Sequence, residues 1–124
     1  MSTVKTDTIK VDTIKTTGNV EVYTCKAWVN FDGTTNTGGN CTIRASGNVS
    51  SITDNSTGNY YVNFTASMSD VNYAASLNHG DYGSASYRGW DILFNQETNR
   101  VRVETRNESG GEVDSPLVCV SVFR

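Results

Sequence analysis

Hydrophobic and polar residues alternate along several short segments of the chain. The clearest alternation runs through residues 60–68, where every second residue is hydrophobic: Tyr60, Val62, Phe64, Ala66 and Met68. Four other segments show the same pattern, with apolar sets at Tyr23, Cys25, Ala27, Val29 and Phe31, at Trp90, Ile92 and Phe94, at Val101 and Val103, and at Val118, Val120 and Val122. Because successive side chains of a β-strand point to opposite faces, this pattern predicts strands with one buried face.

Segments rich in Gly, Asn and Asp separate the predicted strands. A weaker strand is predicted from Ile43 to Val49, with a bulge at Gly47. The turn residues predict a long loop at residues 32–40, a hairpin loop at 54–59 and two further turns at 78–83 and 108–111. Seven or eight short strands at this spacing predict an all-β fold, a small antiparallel β-sandwich or barrel-like domain.

The first 19 residues differ from the rest of the chain. They contain no aromatic residue, and apart from Met1 their apolar residues are Val4, Ile9, Val11 and Ile14. Four apolar side chains cannot build a core, so we expect this arm either to be loose or to pack against copies of itself or a larger protein. A turn signal at residues 17–19 marks its end. The sequence predicts an attachment or trimerisation arm over residues 1–19 and a β-sandwich domain over residues 20–124.

The composition indicates a folded domain with a polar surface. Ser, Thr and Asn supply 42 of the 124 residues, but four Phe, six Tyr and two Trp provide the large side chains that disordered chains lack. The formal net charge of −3 argues against a nucleic-acid partner, which requires clustered Lys and Arg. Arg100, Arg102 and Arg106 alternate with Val101 and Val103, which favours a solvated strand face over an anion site.

The three cysteines and the short apolar runs limit the remaining classes of protein. Cys25, Cys41 and Cys119 do not have the spacing of a metal site, so we expect reduced, buried thiols, no metal and no cofactor. A bridge between Cys25 and Cys41 stays open as an alternative. The apolar runs are too short for a signal peptide or for membrane insertion.

Candidate catalytic groups are scarce in this sequence. His79 is the one histidine and lies among turn residues, so we interpret it as a solvated loop residue rather than a general base. Glycoside hydrolysis requires a pair of acids, one of them in an apolar setting, but Asp91 and Glu104 are expected on outer strand faces. The sequence therefore predicts a structural or binding protein, not an enzyme.

The central part of the chain resembles a module of bacteriophage tail-fibre and other virion proteins. The resemblance rests on C-K-A-W-V-N-F-D-G-T at residues 25–34 and I-R-A-S-G-N-V-S-S-I-T-D at residues 43–54. Residues 58–65 and 68–73 look like its continuation, and residues 8–14 look like the segment that precedes it. Two features depart from the pattern, a longer connection before Cys41 and the absence of the long shaft that carries the module in fibres.

The resemblance implies a virion protein and assigns no catalytic residue. Fibre proteins of this kind are typically homotrimers, and we expect a tail-fibre-like protein whose domain meets the host surface, including its glycans. The alternative is a head fibre or decoration protein attached to the capsid. Both place the protein in the virion after synthesis in the host cytoplasm, with copies of itself and other tail, baseplate or capsid proteins as partners.

Recognition is expected on loops that a rigid scaffold holds in place. The candidates are residues 32–40 and a second segment that supplies Asn78, His79, Asp81, Tyr82 and Tyr87. Tyrosine rings can stack on a sugar, and Asn78 and Asp81 can form hydrogen bonds with its hydroxyl groups. The open alternative is that these loops close the end of the domain or pack against a neighbour.

Overall fold

A computed structural model of the chain describes residues 15–20, 23–81 and 89–124 and contains eight β-strands. The strands are β1 (Cys25–Thr37), β2 (Asn40–Gly47), β3 (Val49–Ser56), β4 (Asn59–Phe64), β5 (Ala74–Gly80), β6 (Gly89–Phe94), β7 (Arg100–Asn107) and β8 (Leu117–Phe123). The all-β prediction is confirmed. Since none of the described residues is helical, none forms a helix that could cross a membrane.

The eight strands form one antiparallel sheet in the order β5-β8-β1-β2-β3-β4-β7-β6. The sheet curls so that its two edge strands, β5 and β6, meet through a contact between His79 and Asp91. The result is a nearly closed barrel. Of the two architectures predicted, the barrel-like one is therefore found, and its outer side is the surface available for binding.

The barrel interior is filled by residues that the alternation predicts. Tyr60, Val62 and Phe64 of β4 are buried. Two pairs of rings pack edge to face, Phe31 with Tyr60 at 5.1 Å and Phe64 with Tyr73 at 5.8 Å between ring centroids. The other buried members of the predicted apolar sets are Ala27, Val29, Met68, Val101, Val103, Val118, Val120 and Val122.

At two places the predicted alternation extends beyond the buried part of a strand. β4 ends at Phe64, so Ala66 lies past the strand and is exposed. At the start of β1, Tyr23 and Cys25 are exposed, and burial begins at Ala27. Within a strand, a residue of an alternating series is buried only where the strand lies over the core; past the end of β4, Ala66 is exposed but Met68 is buried again.

The long loop predicted at residues 32–40 is wrong. β1 continues to Thr37, and the chain turns back at Gly38 and Gly39, so that Thr37 faces Asn40. Both glycines have positive φ angles, 60° and 87°, as the tightest hairpin turns require. The polar residues suggested a loop because the end of this hairpin is exposed and has no core to face. The hairpin predicted at residues 54–59 is confirmed in a shorter form, with β3 reaching Ser56.

The strand predicted from Ile43 to Val49 is present only as far as Gly47, where β2 ends, and the break at Gly47 is a corner and not a bulge, because Val49 begins a new strand, β3. Asn48 stands between them with a φ of 54°, a conformation that Asn tolerates better than most residues. Its amide donates to the carbonyl groups of Lys26 and Ala66, both at 3.0 Å, and its Oδ1 accepts from the Ala66 N–H at 2.7 Å. These bonds hold the corner between the two strands.

The face predicted for β6 is reversed. Leu93 lies opposite Val103 and packs against the core. The residues predicted to be buried therefore point to the outer side of the barrel: Trp90, Ile92 and Phe94. The Arg102 guanidinium lies over the Phe94 ring, 5.0 Å from its centroid, and shelters this apolar side chain from water. Hydrophobicity alone could not show which face was buried.

The predicted arm is largely outside the described residues, and so are Val4, Ile9, Val11 and Ile14. A turn is present where the boundary was placed, since the Asn19 N–H donates to the Thr16 carbonyl at 2.9 Å. The arm and its part in trimerisation stay predictions.

Candidate functional site

Strands β5, β8 and β1 present a regular set of side chains on the outer side of the barrel. Their register places one row of three residues side by side: Ser76, Ser121 and Trp28. The next row consists of Asn78, Cys119 and Asn30. These six residues line a depression of about 310 Å³, which we call the Trp28 groove. Its volume falls at the lower end of the range for small-molecule sites.

Trp28 forms the side of the Trp28 groove that lies toward β2, and 44% of its surface is exposed. Its indole lies against Gly47, the residue opposite it on β2. A Cβ atom at residue 47 would lie 2.8 Å from the indole Cδ1 atom, closer than real Cβ atoms come. Gly47 is therefore required for the position of the indole.

The polar side chains of the Trp28 groove have unused hydrogen-bonding capacity. Within the described ranges, Ser76, Asn78 and Ser121 make no side-chain hydrogen bond. The Asn30 Oδ1 accepts from the Arg44 Nη1 at 3.3 Å, which leaves the Asn30 amide hydrogens available. A ligand in the groove can therefore bind two hydroxyl groups and two amide groups without breaking bonds inside the protein.

Cys119 lies at the centre of the second row and is half-buried. Burial raises the pKa of its thiol, and the Arg44 charge offsets only part of that effect. The thiol is therefore protonated at neutral pH and is not an activated nucleophile. The same holds more strongly for Cys41, because burial and then Asp54 raise the pKa of its thiol to about 12. All three cysteines are free, so the Cys25–Cys41 bridge is not formed.

Of the residues predicted to form one binding site, Asn78 and His79 lie on opposite faces of β5. Asn78 lines the Trp28 groove, but His79 points to the inner side of the barrel, as the alternation along β5 requires. Asp81 follows the end of β5 and is half-buried. Tyr82 and Tyr87 lie outside the described residues. The turn predicted at residues 78–83 is wrong for its first three residues, which continue β5 in its pairing with β8.

His79 closes the barrel. From the sequence, it is interpreted as a solvated loop residue. Its side chain is 2% exposed, and its Nδ1 contacts the Asp91 Oδ1 across the gap between the two edge strands. Its Nε2 is buried and has no hydrogen-bond partner among the residues that the structure describes. The predicted solvated environment of His79 is therefore wrong, because the side chain lies opposite Val118 on the inner face.

A second group of side chains lies on the outer side of β4, β7 and β6, and we call it the Trp90 surface. Its members are Asn59, Tyr61, Trp90, Phe94, Arg100, Arg102, Glu104 and Arg106. The Glu104 carboxylate accepts from Arg102 at 3.1 Å, from Arg106 at 2.7 Å and from Asn59 at 3.1 Å. Arg100 lies over the Tyr61 ring, 4.1 Å from its centroid.

Asp91, which was expected on an outer strand face, lies on the inner side of the barrel opposite the buried Thr105. Glu104 does lie on the outer side, as expected, but it is not solvated there. Its side chain is 3% exposed, because the guanidinium groups of Arg102 and Arg106 cover it. Those two side chains are 28% exposed. The arginine run that alternates with the valines thus carries a buried carboxylate at its centre, and its charge is largely neutralised within the protein.

In comparisons with known proteins, no family model, no curated protein and no solved structure matches this chain. Among the residues that the structure describes, no group of three or more His, Cys, Asp or Glu side chains could hold a metal ion. The function of the Trp28 groove is therefore inferred from its own geometry.

One signal of the Trp28 groove is present in the sequence, although the predicted site missed it. Trp28 stands between Ala27 and Val29, at a polar position of the alternating strand. Because Trp is enriched at binding interfaces relative to the rest of the surface, an exposed Trp on a strand is a candidate contact residue. Its partners Asn78 and Cys119 could not be found in this way, because only the pairing of β1 with β8 and of β8 with β5 brings them together.

Proposed function

We propose that the chain is a structural protein of a bacteriophage virion, tail-fibre-like, which presents its β-domain to the host surface. One observation carries the binding part of this proposal: the Trp28 groove combines an exposed indole with the side chains of Ser76, Asn78 and Ser121, which make no hydrogen bond within the described residues. Groups of this kind exchange hydrogen bonds with water for hydrogen bonds with a ligand, and no bond within the protein has to break when the ligand binds. The virion part rests on the resemblance of residues 25–34 and 43–54 to the tail-fibre module.

The proposal assigns no reaction to the chain. Cys119, the one side chain of the groove that has nucleophilic chemistry, is held in its protonated form by burial. A binding role requires only that the groove be rigid and open. Its six side chains stand on three paired strands, which fix their positions more firmly than a loop would.

We further propose that the chain forms a homotrimer through its N-terminal arm. Three grooves on one particle would convert weak single contacts into a stable attachment through avidity. Light scattering should give a molar mass three times the 13.5 kDa of one chain. A monomer at micromolar concentration would contradict this part.

Binding to whole cells tests the role of the groove. Fluorescently labelled protein is incubated with a panel of Gram-negative and Gram-positive bacteria, and the strain that binds it is used to compare Trp28→Ala with Trp90→Ala. Both changes remove an exposed indole, but only the first alters the Trp28 groove. We expect Trp28→Ala to lower binding at least ten-fold and Trp90→Ala to leave it unchanged. Unchanged binding by folded Trp28→Ala protein would refute the assignment.

A capsid-attached head fibre or decoration protein is the second candidate, and the Trp90 surface favours it. Trp, Tyr and Arg are the residues that contribute most to protein–protein interfaces, and this surface contains all three. Gold-labelled antibody against the protein distinguishes the two candidates on intact particles. Label on the tail supports host attachment, and label spread over the head supports decoration.

A further inference from the structure

The charge of the Trp28 groove restricts the ligand that it can take. Its outward-facing side chains supply one indole, two amides, two hydroxyl groups and one thiol, Val29 and Val120 complete the lining, and none of these groups is ionised at neutral pH. Arg44 lies beside the groove, but it binds the Asp32 carboxylate at 3.4 Å and the Pro116 carbonyl at 2.6 Å. A carboxylate or phosphate in the groove would lose water without gaining an unengaged cation, which is unfavourable.

The indole selects for a ligand with a flat, weakly polar face. Trp has an electron-rich ring face, which attracts polarised C–H groups as well as apolar surface. A pyranose ring presents several C–H groups on one face and hydroxyl groups around its rim. A simple hydrocarbon would satisfy Trp28 but would leave the amides and hydroxyl groups of the groove covered and unpaired, at a cost for each of them.

The polar groups of the groove match the rim of such a ring. Ser76 and Ser121 each donate and accept, the Asn78 amide does both, and the Asn30 amide donates. A sugar hydroxyl group also both donates and accepts, so either partner can adjust its direction. The groove spans three neighbouring strands that lie about 4.8 Å apart, so it is roughly 10 Å wide. This width has space for one or two sugar rings.

We infer that the Trp28 groove binds an uncharged pyranose ring of a surface glycan, stacked on Trp28 and bound at its rim by Asn30, Ser76, Asn78 and Ser121. The inference rests on the proposed function and specifies its ligand. It differs from the site predicted from the sequence, in which loop tyrosines and Asp81 were the sugar-binding groups. Here the contacts come from three strands and include no charged side chain.

Fluorescence of Trp28 alone tests the inference directly. The chain has two tryptophans, so Trp90→Phe leaves Trp28 as the one indole. This variant is titrated separately with glucose, galactose, mannose, N-acetylglucosamine, glucuronic acid and sialic acid. We expect a saturable change in emission with at least one neutral sugar, at millimolar concentration as is usual for a single ring, and at least ten-fold weaker binding of the two acids.

One groove variant and one matched control test the hydrogen bonding of the sugar in this titration. Asn78→Ala, made in the Trp90→Phe background, should keep the fold and Trp28 fluorescence but lower the affinity for the neutral sugar about ten-fold. Thr65→Ala in the same background alters an exposed side chain outside the groove and should bind like its parent. Equal affinity of the Asn78→Ala and Thr65→Ala proteins would overturn the assignment of Asn78.

The outcomes of the titration and of the cell-binding experiment are separable. If only the acids change Trp28 emission, the uncharged class is wrong, while the groove remains a sugar site. If no sugar changes the emission but Trp28→Ala still loses cell binding, the inference fails and the proposed function stands, with a protein receptor as the partner. If Trp28→Ala binds cells normally and no sugar changes the emission, both fail.

Discussion

Trp28 and Trp90 are both exposed on the outer side of one sheet, with 44% and 52% of their surfaces accessible, yet their surroundings differ in one respect. Around Trp90 the polar groups bind one another, and Glu104 accepts hydrogen bonds from two arginines and one asparagine. Around Trp28 the polar side chains of the groove are uncharged, and only Asn30 of them has a hydrogen-bond partner among the residues that the structure describes.

This difference indicates which of the two surfaces contributes to the stability of the fold. Groups that satisfy each other contribute to the stability of the isolated domain, because removing one leaves the others unpaired. Groups that face water and have no protein partner contribute little to folding, and a ligand can bind them at small cost. The Trp90 surface should therefore respond to mutation through stability, and the Trp28 groove through binding.

The largest expected effect is on the core that both surfaces share. Phe64 is buried against Tyr73, and Phe64→Ala should lower the free energy of unfolding by about 3–5 kcal/mol through lost packing and a cavity. Urea titrations of Trp28→Phe and Trp90→Phe variants carrying this change should show the same loss at both reporters. Two separate transitions would mean that the two surfaces do not belong to one cooperative unit.

Thr65→Ala is the matched control for the core prediction. Thr65 directly follows Phe64 and is exposed, so its truncation should change the free energy of unfolding by less than about 0.5 kcal/mol. If Thr65→Ala were the more damaging of the two changes, the face predicted for β4 from alternation would be wrong.

The second largest loss of stability is expected at the Trp90 surface. Glu104→Ala leaves the guanidinium groups of Arg102 and Arg106 without their shared acceptor. Since these groups are partly exposed, we expect a loss of about 2–3 kcal/mol, less than the 3–5 kcal/mol typical of a fully buried pair. The free energy of unfolding from urea titration measures it.

Asn78→Ala is the corresponding change in the Trp28 groove and should cost less than about 0.5 kcal/mol, because this side chain makes no bond within the described residues. A similar loss in the free energy of unfolding of Glu104→Ala and Asn78→Ala would show that the hydrogen bonds within the Trp90 surface do not make it more important for stability than the Trp28 groove. A loss confined to Glu104→Ala would show that they do.

Sequence alone predicted the all-β class and most of the core of this molecule, but it missed β5 and the β1–β2 hairpin and did not predict the surfaces. Alternation correctly predicted the burial of Tyr60, Val62 and Phe64, because one face of β4 lies over the core along its length. It failed at β6, where Trp90, Ile92 and Phe94 lie on the outer side and Phe94 is covered by Arg102 of the neighbouring strand. The side of a strand that is buried depends on its partners, and those are distant in sequence.

The candidate site illustrates the same limit. Asn78 was predicted as a binding residue and does line the groove, but for the wrong reason, since it stands on a strand and not in a loop. Its neighbour His79 was assigned to the same site, although a strand sends successive side chains to opposite faces. Polar composition at the end of β5 resembled a turn because its outer residues, including Ser76, face water.

A third effect is expected at Gly47, which lies against the Trp28 indole. In Gly47→Ala the new methyl group overlaps the indole, and because the indole is exposed it can move aside at a cost of less than about 1 kcal/mol. We expect cell binding to fall several-fold while the domain stays folded, and the Trp28 emission in the Trp90→Phe background to shift. Gly80→Ala, where a Cβ would meet nothing within 4 Å, should change neither quantity.

The smallest expected effect is a difference in thiol reactivity across the barrel. Burial, followed by the charge of Asp54, raises the pKa of Cys41 to about 12, so at pH 8 only on the order of one thiol in ten thousand is ionised. A raised pKa slows alkylation, and the rate should increase with pH. With iodoacetamide at pH 8 and mass spectrometric readout, the exposed Cys25 should react first, Cys119 more slowly and Cys41 last.

A neutral sugar at saturating concentration should slow the alkylation of Cys119 alone, since only that thiol lies in the Trp28 groove. If the sugar protected Cys25 to the same extent, it would have a general effect on the protein and would not be binding in the groove.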